Sequence, residues 1–123
     1  MNFEQTLQRH LNAIKDRNLD EYEATVSTEK PYVVLPDGTL LKGHQAIIDW
    51  HRDWFSDPDW RIEVNILHVD ETKDTGLALA TINYDDIDPQ GNPYHKKYYL
   101  SLGFAQQAGE WKLIHDQNTY AKD

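Results

Sequence analysis

The residues best suited to chemistry in this chain lie on its last predicted strand, residues 111–119. Its alternation puts two apolar and then three polar side chains on one face: Trp111, Leu113, His115, Gln117 and Thr119. Such a face is typical of a strand that runs from a packed core into a cavity. His115 can transfer protons near neutral pH, and Gln117 can donate and accept hydrogen bonds. The strand therefore predicts a pocket with a polar floor, and the same alternation turns Asp116 outwards, towards solvent or a partner subunit.

His10 is a second candidate because it lies on the apolar stripe of the first predicted helix. That stripe has helical spacing and consists of Phe3, Leu7, His10, Leu11 and Ile14. A histidine there either hydrogen-bonds at the margin of the core or faces a pocket as a general acid or base. The sequence leaves both interpretations open, so His10 and His115 are the candidate catalytic residues.

Aromatic residues supply the remaining walls of the predicted pocket. Trp50 and Trp54 lie four residues apart on the third predicted helix, a spacing typical of core packing and also of a pocket wall. Tyr98 falls on the apolar face of a long predicted strand. The predicted ligand-binding set is therefore His10, Tyr32, Trp50, Trp54, Tyr98, His115 and Gln117.

The sequence predicts no metal site and no cofactor. His44 and His51 lie seven residues apart on one helix, and no third ligand has a suitable spacing. The segment 86–91 begins like a calcium loop, but Lys97 stands where the closing glutamate would bind the ion. We interpret this segment as a hairpin turn.

Composition narrows the class of protein. The 123 residues predict a single domain, 1–123. The net charge of −9 argues against nucleic acid as a partner and leaves a cationic ligand open. The chain has no cysteine, no signal-peptide pattern and no membrane-spanning apolar run, so we expect no membrane partner and a cytoplasmic location.

The predicted elements are helices that precede long strands. Helices are expected over 2–16, 18–24 and 44–55, short strands over 32–35 and 40–41, and long strands over 60–69, 77–87, 94–106 and 111–119. Short turns join the long strands, which is typical of antiparallel pairing. The order predicts an α+β fold.

Three motifs in this order resemble the SnoaL-like and ketosteroid-isomerase-like proteins of the nuclear-transport-factor-2-like superfamily. Leu7–Leu11 followed by Asn18-Leu19-Asp20 resembles the family's opening helix and the short link after it. Gly43-His44-Gln45-Ala46-Ile47 resembles the start of its third helix, and Trp111-Lys112-Leu113-Ile114-His115 resembles its terminal strand. The resemblance implies a cone-shaped, cystatin-like fold in which a curved, mostly antiparallel sheet wraps around the N-terminal helices. It also implies a homodimer that packs through the sheet.

The resemblance to ketosteroid isomerases does not extend to their two carboxylates. The family's general base corresponds to a position near Val34, and its protonated acid to Leu100 or Ser101. Asp37 is close to the first position but lies in a Pro-Asp-Gly-Thr turn, where Asp is favoured for structural reasons. Many SnoaL-like relatives carry a second histidine where this chain has Gln117, and glutamine cannot transfer protons. We therefore expect no isomerisation of Δ5-3-ketosteroids at enzyme-like rates.

Three functional hypotheses remain at this stage. The first is a domain that binds a small, partly apolar molecule in an aromatic pocket with polar contacts from histidines. The second is a cofactor-free isomerase, dehydratase or cyclase that uses a histidine as acid or base. The third is a dimeric interaction module without chemistry. Fold alone does not decide among them, and whether the chain is an enzyme stays open.

Overall fold

The computed structural model describes residues 1–122 and contains three helices and six strands in these residues. The helices are α1 (Phe3–Lys15), α2 (Leu19–Ala24) and α3 (His44–Phe55). The strands are β1 (Tyr32–Val34), β2 (Leu40–Lys42), β3 (Arg61–Glu71), β4 (Thr75–Ile87), β5 (Pro93–Gln107) and β6 (Glu110–Tyr120). The predicted order of elements is confirmed, with boundaries that differ by at most two residues.

One curved, unclosed sheet contains all six strands, in the order β2-β1-β6-β5-β4-β3. The long strands β3 to β6 pair antiparallel with their sequence neighbours, and β1 pairs parallel with β6. The helices cover the inner face of the sheet, and the outer face carries many exposed side chains. The predicted α+β fold class is confirmed.

Local sequence signals explain why α1 begins where it does and which face it buries. Asn2 caps the helix: its side chain accepts a hydrogen bond from the backbone N–H of Gln5, and the Gln5 side chain accepts one from the backbone N–H of Asn2. The predicted apolar stripe is buried against the sheet. Phe3, at its start, lies so close to Gly76 of β4 that a side chain at Gly76 would collide with its ring.

A β-bulge in β6 changes the faces of the strand. Leu113 pairs with Phe104 and His115 pairs with Gly103, so Ile114 is an extra residue without a partner on β5. An inserted residue shifts the alternation by one position. Leu113 and Asp116 therefore both lie on the inner face, whereas His115 lies on the outer face.

Candidate functional site

A cavity of about 400 Å³ lies between the helices and the inner face of the sheet. This volume falls within the range of small-molecule sites. Apolar and aromatic side chains from the helices and from the sheet surround it. Its lining consists of Leu11, Ile14, Val33, Leu35, Pro36, Trp50, His51, Trp54, Val64, Ile82, Tyr84, Tyr94, Lys96, Tyr98, Leu100, Asp116, Asn118 and Tyr120.

One wall of the cavity is a continuous series of aromatic rings. Trp50 and Trp54, one turn apart on α3, have ring centroids 5.3 Å apart. The Trp54 ring lies 6.3 Å from that of Tyr84, which in turn lies 6.3 Å from that of Tyr94. Trp60 stacks behind Trp54 at 4.2 Å and is buried, so it holds the wall from the core side. The predicted pocket-wall role of Trp50 and Trp54 therefore has a structural basis.

The exposed end of the cavity is a polar rim. Asp86 accepts hydrogen bonds from the Tyr84 hydroxyl at 2.5 Å and the Tyr94 hydroxyl at 3.3 Å. Lys96 lies on the same rim, with its Nζ 5.7 Å from the centroid of the Tyr120 ring. The rim therefore carries one acidic and one basic side chain.

The buried end of the cavity contains a carboxyl group, that of Asp116. Its residue is only 4% exposed. Asn118 donates from Nδ2 to Asp116 Oδ1 at 2.9 Å and to the backbone oxygen of Val34 at 2.8 Å. Among residues 1–122, Asp116 forms no ion pair. The cavity thus holds a buried carboxyl group that Asn118 orients and no cation neutralises.

The environment of Asp116 favours its neutral form. Burial raises the pKa of the Asp116 carboxyl to about 7, and the hydrogen bond from Asn118 only partly opposes this effect. Burial, and then the nearby Asp116, raises the pKa of the Tyr98 hydroxyl, which therefore stays protonated. At neutral pH, then, the cavity contains a carboxyl group that can both give and take a proton.

His51 of α3 also lines the cavity. Its Nδ1–H donates to the backbone oxygen of Ile47 at 2.7 Å, and its ring stacks on that of Tyr22 at 4.1 Å. Burial lowers the pKa of His51 to about 4, so the ring is neutral under ordinary conditions. With Nδ1 protonated, Nε2 is a hydrogen-bond acceptor. Sequence reasoning considered His51 only as a metal ligand together with His44, rejected that metal site, and did not place His51 in the pocket.

His10 is fully buried and does not line the cavity. The Thr25 hydroxyl donates to the backbone oxygen of Tyr22, so it accepts from the His10 Nδ1–H at 2.8 Å. Burial lowers the pKa of His10 to about 3. His10 Nε2 and the Tyr22 hydroxyl are buried atoms without a hydrogen-bond partner in the described residues. The geometry matches the interpretation of His10 as a histidine of the core.

His115, Gln117 and Tyr32 lie on the outer face of the sheet, away from the cavity. His115 Nδ1 and the Tyr32 hydroxyl are 2.7 Å apart, and Gln117 is exposed. The prediction that His115 and Gln117 continue the inner face of Trp111 and Leu113 is wrong, because the bulge at Ile114 reverses the alternation. The prediction that Asp116 turns outwards is wrong for the same reason.

The structure thus brings Trp50, Trp54 and Tyr98 of the predicted set to one cavity and leaves His10, Tyr32, His115 and Gln117 outside it. The most important side chains that sequence reasoning missed are Asp116 and Asn118. Their only signal was the pair of adjacent apolar residues Leu113 and Ile114, which marks a possible extra residue but does not fix its position.

The residues at the positions that the resemblance assigned to the carboxylates of ketosteroid isomerases are not acidic in this chain. Leu100 lines the cavity, and Ser101 faces outwards opposite Leu79. Asp37 is exposed, and its carboxylate accepts the backbone N–H of Thr39 within the turn. Asp116 is therefore a carboxyl group that reaches the cavity from a strand position different from those two.

Residues 1–122 contain no group of three His, Asp or Glu side chains arranged to hold a metal ion. None of the described helices has the length and hydropathy that crossing a bilayer requires.

Residues 3–121 match the SnoaL-like domain family, so the chain belongs to that family. No curated protein matches the chain. The family assignment confirms the resemblance found in the three sequence motifs.

Solved structures with the same fold have little sequence identity to the chain. A ketosteroid isomerase-like protein from Erwinia carotovora atroseptica has a TM-score of 0.81 at 13% identity, covering 98% of this chain and 94% of that one. A nuclear transport factor 2-like protein from Salmonella enterica serovar Typhimurium has a TM-score of 0.78 at 11% identity, covering 97% of this chain and 88% of that one. The CaMKII hub of S. rosetta has a TM-score of 0.74 at 20% identity, covering 95% of this chain and 92% of that one. These likenesses establish the nuclear-transport-factor-2-like fold.

Proposed function

We propose that this SnoaL-like domain binds a small, partly apolar molecule in the 400 Å³ cavity, with Asp116 as its polar anchor. The observation that carries the proposal is a buried carboxyl group at the end of an aromatic cavity, with no cationic partner among residues 1–122. Burial of such a group is unfavourable unless it is neutral or paired. A ligand that hydrogen-bonds to Asp116 would relieve that cost, while Trp50 and Trp54 would contact its apolar part.

Binding can be measured through the tryptophans that line the cavity. A metabolite library is screened by thermal shift, and hits are titrated by intrinsic fluorescence. Asp116→Asn should weaken binding by about 1–3 kcal/mol because a buried polar contact is lost. His115→Ala is the matched control on the same strand, since its side chain lies on the outer face. If His115→Ala weakens binding and Asp116→Asn does not, the proposed cavity is not the site.

A second candidate function is cofactor-free acid–base catalysis by Asp116. The pKa of Asp116, about 7, favours it, because an acid or base works best when its pKa is near the working pH. In this hypothesis the acid or base is Asp116 and not the histidine that the sequence suggested. The test is a panel of small apolar ketones and hydroxy ketones assayed for isomerisation or dehydration. Turnover should fall by about 10²–10⁴ in Asp116→Asn, and turnover that persists in this variant would exclude Asp116.

We also propose that two copies of the chain associate through the outer face of the sheet. Apolar side chains on this face are between 38% and 49% exposed, namely Tyr32, Leu77, Leu79 and Tyr99. One of them, Tyr32, lies beside His115 on the same face, with its hydroxyl 2.7 Å from His115 Nδ1. Sedimentation equilibrium at micromolar concentration should give a dimer, and a clean monomer would refute the proposal. The cytoplasmic location remains a prediction.

A further inference from the structure

The charge balance of the cavity bears on which ligand it takes. Six aromatic side chains line it: Trp50, Trp54, Tyr84, Tyr94, Tyr98 and Tyr120. The faces of aromatic rings attract cations, most strongly when water is excluded. At the buried end of the same cavity lies Asp116, for which the described part of the chain supplies no ion pair. An aromatic wall and an unpaired carboxyl group are complementary to the same kind of ligand.

The other titratable groups near Asp116 do not neutralise it. His51 from α3 is held neutral, since burial lowers its pKa to about 4. Tyr22 from α2 and Tyr98 from β5 have hydroxyl pKa values that burial, and then the nearby Asp116, raises. From β6, Asn118 donates one neutral hydrogen bond, and Tyr120 lies at the rim. His10 of α1 is buried behind the cavity wall and is neutral as well.

Lys96 is the cation of the cavity lining, and it lies at the exposed end. Its Nζ is 5.7 Å from the centroid of the Tyr120 ring, and it shares the rim with Asp86. The two rim charges oppose each other in their effect on an entering ligand. The net charge of −9 favours the approach of cations over anions.

We infer that the ligand is an organic cation, an apolar or aromatic molecule with an ammonium group that pairs with Asp116 between the aromatic rings. This inference rests on the proposed function, because it names the class of molecule that the cavity binds. The ammonium group supplies the counter-charge that residues 1–122 do not provide, so Asp116 is ionised in the complex. A neutral hydrogen-bonding ligand would leave the cation-binding capacity of the aromatic rings unused.

The test compares two probes that differ only in charge. Phenyltrimethylammonium and its uncharged isostere tert-butylbenzene have the same shape, and the quaternary charge does not change with pH. Each is titrated by intrinsic fluorescence against the wild type and Asp116→Asn between pH 6 and pH 8. We expect the cation to bind on the order of tenfold more tightly than its isostere at pH 8. This preference should shrink as the pH falls to 6, because Asp116 becomes protonated.

Asp116→Asn should bind tert-butylbenzene as the wild type does and should lose the preference for the cation. A preference that persists in this variant, or that does not change with pH in the wild type, would overturn the inference. The pH series on the wild type tests the cationic ligand even if the variant fails to fold. Binding of tert-butylbenzene alone would refute the cationic ligand and leave the small-molecule pocket intact. Absence of binding by both probes would refute the proposed function itself.

Discussion

The two faces of β6 have opposite characters although they come from one short stretch of sequence. The inner face turns Leu113 into the core and Asp116 and Asn118 towards the cavity, and Leu113 and Asp116 are buried. The outer face turns His115 and Gln117 towards solvent or a partner subunit. A carboxyl group in the first environment has its pKa raised to about 7 by burial, whereas the outer face leaves polar groups in contact with water. The face on which a residue lies thus decides whether its side chain can act in the cavity, more than its residue type does.

A single inserted residue, Ile114, separates the two faces. Without the bulge, His115 and Gln117 would line the cavity, and the site would be a histidine site. With it, the site is a carboxyl site. Substitutions on the two faces test this difference.

The largest effect should come from Leu113, which is fully buried on the inner face. Leu113→Ala should lower the free energy of unfolding by about 3 kcal/mol, because it leaves a cavity in a packed core. Ile114→Ala, at the bulge, should lower it by less than about 1 kcal/mol because the side chain is only half-buried. Urea unfolding of both variants measures the contrast. Equal losses would mean that the bulge does not separate the faces as described.

Asp116→Asn should stabilise the protein at alkaline pH by about 2 kcal/mol. The pKa of the folded carboxyl, about 7, is above that of the unfolded chain, about 3.8, so the folded state binds the proton more tightly. The wild type therefore loses stability as the pH rises from about 4 to 7, and asparagine removes this loss. The introduced amide would satisfy the hydrogen bonds of the site only in part, which reduces the gain.

The measurement is urea unfolding of both proteins at pH 5 and pH 8. The free energy of unfolding of Asp116→Asn should exceed that of the wild type by an amount that grows with pH. Burial also lowers the pKa values of His10 and His51, to about 3 and about 4, so both proteins lose stability as the pH falls below 6.5. Because both proteins contain these two histidines, this loss cancels when the two free energies of unfolding are subtracted. A difference that is constant from pH 5 to pH 8 would show that Asp116 does not titrate in a buried site.

His115→Ala tests the outer face. If the proposed dimer buries this face, the variant should weaken dimer association about tenfold, which corresponds to about 1.4 kcal/mol. Binding of a ligand in the cavity should not change. Sedimentation velocity over a concentration series measures the first effect, and a fluorescence titration measures the second. Gln117→Ala provides a control at a neighbouring position of the same face.

The sequence was sufficient to predict the fold because each element carries its own local signal. The apolar residues of α1 and α3 recur at a helical period, and Pro36-Asp37-Gly38 marks a turn. These signals act over a few residues and do not depend on distant contacts. The resemblance of three motifs to the SnoaL-like family then defined the architecture.

The site could not be predicted in the same way because its geometry depends on register. After Ile114 no further aliphatic residue in β6 indicates which face is buried, so a polar run such as His115 to Thr119 fits either face equally well. His10 shows a second limit. Its place on an apolar stripe left open whether it lies in the core or faces the pocket, and the structure buries it outside the cavity lining.

The smallest effect is expected for Tyr32→Phe, which removes the hydroxyl that lies 2.7 Å from His115 Nδ1. Tyr32 is 39% exposed, so water can replace the lost partner on both groups. In the isolated subunit the free energy of unfolding should change by less than about 0.5 kcal/mol, as is usual for exposed substitutions. Tyr99→Phe on the same face removes a hydroxyl without a side-chain partner in the described residues and is the matched control. The experiment is urea unfolding of both variants at two protein concentrations tenfold apart. A loss in Tyr32→Phe that exceeds the control and grows with protein concentration would show that a partner subunit covers the hydroxyl of Tyr32, because only association makes stability depend on concentration.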